Sequence, residues 1–261
     1  MRRFHGFCIS PPRSGTHSIA YIFEKACQSA HEPFSNETIQ LILGYYKGEV
    51  NKQLLEQVLK SRDSALELEL DASHYLHHFI ETLVQIFPES RYVLTVRDPV
   101  SWLQSEINQN IFTSDPEYQI WQMLEENRYG CYKVKRPDYE SELALRDNVW
   151  PIESYLRYWA DHNTMVLNHV PKERLLTFST NEIEQNLDRM CTFFGVEDMR
   201  GQLDLQRSRS GLTDQYIDIY SHVDKKYVSD LIEKHCSEVI SRLTDIIPTF
   251  AQVCMITDND C

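Results

Sequence analysis

Short apolar runs alternate with longer stretches of helical period along the whole 261-residue chain. FHGFCIS (4–10), ALELELDAS (65–73), SRYVLTVRDP (90–99) and RLLTFST (174–180) have the length and composition of strands. Between them, residues 18–30 put Ile19, Ile22, Phe23, Ala26 and Cys27 on one helical face, and 37–61 reads as two short amphipathic helices split around KGEVN. HYLHHFIETLVQIF keeps a helical period up to Pro88, and VSWLQSEINQ follows Pro99. A long helix over 152–170 is closed by Pro171, NEIEQNLDRMCTFFGV stops at Gly195, and 223–243 is a last amphipathic helix. Parallel strands need crossover connections, so this order predicts an α/β fold with three layers, α/β/α. Its central parallel sheet is covered by helices on both faces, and ligands sit at the carboxyl ends of the strands.

No repeat or low-complexity linker interrupts the pattern, so one domain over 1–261 is expected. The polar segment 110–150, with Tyr118, Trp121, Tyr129, Tyr132 and Tyr139, is the stretch suited to a lid or an acceptor-binding insert. Against 26 basic residues stand 39 acidic ones, a net charge of −13. Such a surface repels nucleic acid and anionic membrane, so a phosphate-bearing ligand must be held by local positive charge. Seven cysteines are scattered singly without a CxxC pair, as in a reduced protein of the cytoplasm. No run is long enough to span a membrane, and no apolar stretch follows the opening arginines to make a signal peptide.

The local feature of most chemical interest is ISPPRSGTHS (9–18), lying between the first strand and the first helix. Set against GxxxxGK[ST], Ser10 takes the first glycine position, Gly15 the second, Thr16 the lysine position and His17 the hydroxyl position. The lysine and the magnesium-binding hydroxyl of a nucleoside triphosphatase are therefore missing from their places. Backbone amides at a helix start remain, with Arg13 as a cation inside the loop. A transferring sulfuryl group carries less charge than a phosphoryl group, so one side-chain cation can stand where kinases use Mg²⁺.

PPRSGTHS followed by YVLTVRDPVSWLQSEIN resembles the sulfotransferase family that uses 3′-phosphoadenosine 5′-phosphosulfate (PAPS). The resemblance implies a P-loop-like sulfotransferase fold in which Arg13, Ser14, Gly15, Thr16 and His17 bind the 5′-phosphosulfate. It also implies that Arg97, with Ser105 eight residues later, binds the 3′-phosphate. A weaker likeness runs through YLRYWADHN and RLLTFSTNEIEQNLDRMCTFFGV. In QRSRSG, Arg207, Arg209 and Gly211 are candidates for the family's basic closing loop. The family's adenine-stacking aromatic after the threonine pair is absent, since Ser18 follows His17.

The acceptor must lose a proton, and two bases are available: Glu32 in AHEPF and His74 in ELDASHYL. Glu32 is preferred, His74 comes next and His31 third. His74, His77 and His78 share a helical spacing, but no further ligand recurs near them, and no metal is expected. The expected reaction is in-line transfer of a sulfuryl group from PAPS, leaving PAP, to a hydroxyl or amine of a small-molecule, carbohydrate or lipid acceptor. Arg13 would stabilise the leaving phosphate. The alternatives are a degenerate kinase using ATP and Mg²⁺, and a non-catalytic nucleotide-binding member of the same fold.

Overall fold

The computed structural model describes residues 2–113, 119–144, 146, 149–205 and 216–250. Five strands, β1 (Gly6–Cys8), β2 (Ser29–His31), β3 (Leu70–Ala72), β4 (Arg91–Val96) and β5 (Leu175–Ser179), form one parallel sheet in the order β2-β3-β1-β4-β5. The helices are α1 (Thr16–Phe23), α2 (Ser35–Tyr46), α3 (Lys52–Leu66), α4 (Ile80–Ile86), α5 (Pro99–Thr113), α6 (Gln119–Arg128), α7 (Ser141–Ala144), α8 (Ile152–His169), α9 (Leu187–Phe194) and α10 (Lys225–Ile246). A 3-10 helix, His74–Phe79, leads into α4. The chain divides into two compact units, Met1–Val96 with Met165–Leu212, and Arg97–Thr164 with Thr213–Cys261.

The first unit contains the whole sheet, and its strand alternation sorts side chains between two helical layers. Cys8, Leu70, Ala72 and Val93 point into a core with Ile19, Ile22 and Phe23 of α1 and Leu187, Met190 and Phe194 of α9. On the other face Phe7 stacks on Tyr92, with ring centroids 5.4 Å apart, and meets Phe87 just past α4. That face also carries Asp71, which pairs with Arg62 of α3. The expected α/β architecture with a central parallel sheet flanked by helices is therefore what forms.

Two local expectations fail, each for a physical reason. The helix expected over 18–30 stops at Phe23, and residues 29–31 return as the edge strand β2, paired to β3. Ala26 and Cys27 are buried, as their spacing suggested, but by a chain that turns back rather than by a continuing helix. Ser-Ala-His carries no strand signal, because an edge strand is held here by backbone pairing and not by side-chain burial. The alternation over 65–73 is likewise shared: Ala65 and Leu66 finish α3, Glu67 ends it at φ +49°, and only Leu70–Ala72 pair as strand.

The second unit is helical in its described residues. Segment 110–150 contains the end of α5, then α6 and α7, in its described residues. Tyr129 is fully buried, donates its hydroxyl to Glu106 at 2.7 Å and packs on Tyr155 and Tyr158. It is a core residue, whereas Tyr132 lies nearer the surface, bonded to Asp161 and covered by Arg157. Tyr118 lies outside the described residues.

Candidate active site

Each strand of the sheet ends next to a residue already singled out or one that supports it. The loop after β1 is held from β4 and from the turn after β5. Thr95 donates its hydroxyl to the Ser14 carbonyl and accepts from Ser10 Oγ at 2.7 Å, while its amide donates to the same Ser10 Oγ at 2.7 Å. Thr180 also donates to the Ser14 carbonyl, at 3.2 Å. The Ser14 amide closes a turn onto the Pro11 carbonyl at 3.2 Å. Gly15 then precedes α1 at φ +95°, and an added Cβ there would lie 2.7 Å from Ile183 Cδ1. Only glycine meets both conditions without strain. No side chain caps α1, so its first amides are presented by Thr16 and His17 in the geometry that suits an anion. Arg13, also left-handed at φ +59°, sits half-buried in the loop.

Beyond β2 and β3 the structure brings the two candidate bases together. Glu32 Oε1 hydrogen-bonds His74 Nδ1, although 42 residues separate them. His31 Nε2 lies 3.4 Å from the same oxygen and 3.2 Å from Thr16 Oγ1, so it joins the pair to the start of α1. Burial pushes the His31 pKa down to about 4, outweighing the upward pull of Glu32. At neutral pH its approach to Glu32 is thus that of an uncharged ring and not an ion pair. His17 packs edge-on against His31 and Tyr21, and its Nδ1 is buried with no hydrogen-bond partner. Ser73 Oγ, one residue before His74, is fully buried and equally unpartnered. Of the remaining imidazoles, His77 bonds the His74 carbonyl and His78 bonds Tyr46. Among the described residues no group of three His, Cys, Asp or Glu is placed to hold a metal ion.

In the second unit, Arg97 stands two residues before α5. Asp98 caps that helix by accepting from the Ser101 amide at 2.9 Å, with Pro99 in the first turn. The Ser101 hydroxyl donates to the Asp98 carboxylate and accepts from Arg97 Nε at 3.1 Å. Trp159 Nε1 holds the Arg97 carbonyl at 3.1 Å. Ser105 stands one turn beyond Ser101, so Ser101 and Ser105 share a helix face. Ser101 is a residue that the motif spacing did not single out. Arg207, Arg209 and Gly211 lie outside the described residues.

Sequence reasoning also missed Thr95 and Thr180, the two hydroxyls that hold the loop. Thr95 was visible only as a β-branched strand residue, and no local signal says what its hydroxyl touches. A cavity of about 790 Å³ lies at the opposite, amino ends of the strands, lined by Arg2, Arg3, Asp63 and Glu69 among others. There Arg2 pairs with Asp63 and Arg3 with Glu69. The five described cysteines are all free. No helix of the described residues is long and apolar enough to cross a membrane.

Ava biosynthesis cluster protein M of Aspergillus versicolor is 30% identical over 121 residues, 44% of this chain and 45% of that protein. The chain therefore matches less than half the length of that relative. Among solved structures, the sulfotransferase domain from the curacin biosynthetic pathway is 16% identical over 81% of this chain and 78% of that one, with a TM-score of 0.45. The sulfotransferase from Alicyclobacillus acidocaldarius is 13% identical over 98% of each, with a TM-score of 0.48. The model of the sulfotransferase domain matches residues 7–200, well over half the chain, from β1 through α9. With that match across the sheet and its loops, the chain belongs to the sulfotransferase domain family.

Proposed function

We propose that this chain is a cytoplasmic sulfotransferase that moves a sulfuryl group from PAPS to a hydroxyl or amine of a small-molecule, carbohydrate or lipid acceptor. In this reading the Glu32–His74 pair takes the acceptor's proton. The observation that carries it is the contact between Glu32 and His74, tied through His31 to Thr16 at the uncapped start of α1. The donor set suits the nucleotide: amides of Gly15, Thr16 and His17, the Thr16 hydroxyl and Arg13 for the 5′ end. The unpartnered His17 Nδ1 is a further polar atom at that helix start. Arg97 and Ser105, with Ser101 between them, are assigned to the 3′-phosphate, and Arg207, Arg209 and Gly211 to its closing loop. PAPS, when bound, supplies an activated sulfuryl group on a phosphate leaving group.

The chain's own residues do the rest. Arg13 offsets negative charge at the 5′-phosphate. With Glu32 ionised, His74 carries its proton on Nδ1 and keeps Nε2 as an acceptor, so either partner can receive the proton of an attacking hydroxyl. His31, uncharged at neutral pH, can donate Nε2–H towards both Glu32 and Thr16 Oγ1, leaving the Thr16 hydroxyl proton for a phosphate oxygen.

The reading is tested by a thermal-shift screen with PAP and with ATP–Mg²⁺, followed by PAPS turnover against an acceptor library. Glu32→Gln and His74→Gln should each keep PAP affinity in calorimetry while lowering kcat by about 10²- to 10⁴-fold on the acceptor found. Stabilisation by ATP–Mg²⁺ and not by PAP would point to a kinase instead. PAP binding without turnover on any acceptor would point to a non-catalytic member.

A further inference from the structure

Glu32 stands in a strained turn just past β2, where its own amide still bonds the Ala72 carbonyl of β3 at 3.1 Å. Glu32 has φ +49° and Phe34 has φ +55°, with Pro33 between them. Left-handed backbone at residues with a side chain costs about 1–2 kcal/mol each, so the turn needs external support. Three successive carbonyls are engaged. Ser35 Oγ donates to Glu32 O at 2.6 Å, and the Thr38 amide and hydroxyl donate to Phe34 O at 2.9 and 2.8 Å. Arg62 Nη2 reaches from α3 to Pro33 O at 2.9 Å. The first two ties are local to the turn and the start of α2. The third comes from another element, and the same guanidinium bonds Asp71 Oδ2 at 2.5 Å through Nη1.

Asp71 is an acid in the middle of β3, paired in register with Phe7 on one side and Ala30 on the other, and only 4% exposed. As a stabilising device the pair is poor. Asp71 Oδ1 and Arg62 Nε are both buried with no hydrogen-bond partner, and a half-satisfied buried ion pair is matched or bettered by apolar residues of the same volume. We infer that Arg62, anchored by Asp71, is a positioning residue that fixes the Glu32 turn so that the carboxylate meets His74. Asp71 is three residues before His74 on the same strand exit, so one guanidinium ties the two strand ends that bear the pair. This rests on the reading of Glu32 and His74 as the proton-accepting pair, but its test does not depend on turnover.

The test uses the whole chain without nucleotide, and reads the His74 Nδ1–H proton by NMR alongside the unfolding midpoint. Two variants are compared: Arg62→Lys, which retains the charge against Asp71, and the double variant Arg62→Met with Asp71→Asn, which removes both buried charges. In each folded variant the hydrogen-bonded Nδ1–H resonance of His74 should be lost to solvent exchange, while PAP binding in calorimetry stays within about twofold of the parent. Should the double variant fail to fold, Arg62→Lys decides. A parent-like His74 resonance in a folded variant overturns the inference. If the resonance is lost as expected but Glu32→Gln turns over normally, the positioning stands and the role given to Glu32 falls.

Discussion

Replacing Gly15 by alanine measures how tightly the loop before α1 is built. The residue sits at φ +95°, a conformation that costs a non-glycine residue about 1–2 kcal/mol. The new Cβ would also stand 2.7 Å from Ile183 Cδ1, inside the 3.5–4.0 Å at which carbon atoms rest. That methyl is the end of a side chain, but Ile183 is 6% exposed and packed among Leu187, Met190 and Phe178, so its retreat costs about 1 kcal/mol more. The sum is about 2–3 kcal/mol. At about 2.1 cal/mol/K per residue over 261 residues, the melting temperature should fall by about 4–6 °C. Urea unfolding of Gly15→Ala, Ile183→Val and the double variant separates the two contributions. Ile183→Val alone costs about 1 kcal/mol. Because it deletes the offending methyl, the double variant should be more stable than the sum of the single losses by about 1 kcal/mol. Additivity within about 0.5 kcal/mol would refute the packing argument, since uncoupled sites add to that precision. A loss below about 1 kcal/mol for Gly15→Ala would refute the backbone argument as well.

Two further outcomes are expected. Arg97→Ala should weaken PAP binding in calorimetry by about 10- to 100-fold, as removal of a charged hydrogen bond does, and Ser101→Ala, which releases Arg97 Nε, should weaken it by less; unchanged affinity in Arg97→Ala would count against the 3′-phosphate assignment. The hydrogen bond from Arg3, with smaller help from the Arg3 and Gln28 amides, holds the Glu69 carboxyl down at about 2 against the opposing effect of burial. Its contribution is therefore fully present above about pH 4.5 and lost as pH falls towards 2. The stability gap between the parent and Glu69→Gln, followed by urea unfolding, should be constant from pH 5 to 7 and close below pH 4; a gap that does not narrow in acid would contradict the pairing.

Much of the architecture was legible in the chain because the central strands and the helices are specified by local side-chain patterns. β4 is a β-branched run and β5 a short, largely apolar one, each with clear ends, and α8 and α10 carry long helical periods bounded by Pro171 and by Asp224. β2 was not legible, since Ser29, Ala30 and His31 at a sheet edge owe their conformation to backbone bonds with β3. The loop after β1 could be recognised from Pro, Ser and Gly at turn positions, whereas Arg97 and Ser105 became candidates only through the family resemblance of YVLTVRDPVSWLQSEIN.

Amino-acid order alone determined the alternation of strand and helix, and hence a parallel sheet, at whose carboxyl strand ends a ligand is expected. It also supplied the candidate residues at those ends: Arg13 in the loop before α1, Glu32, His74 and Arg97. It offered Glu32 and His74 as rivals, because nothing local relates residues 42 positions apart. Only the pairing of β2 against β3 makes them partners, by bringing two strand ends to neighbouring places in the sheet. The supports are tertiary for the same reason: Thr95 on the Ser14 carbonyl, His31 between Thr16 and Glu32, and Arg62 between Asp71 and Pro33. A hydrogen bond across a sheet depends on strand order and register, and these emerge when the whole core condenses.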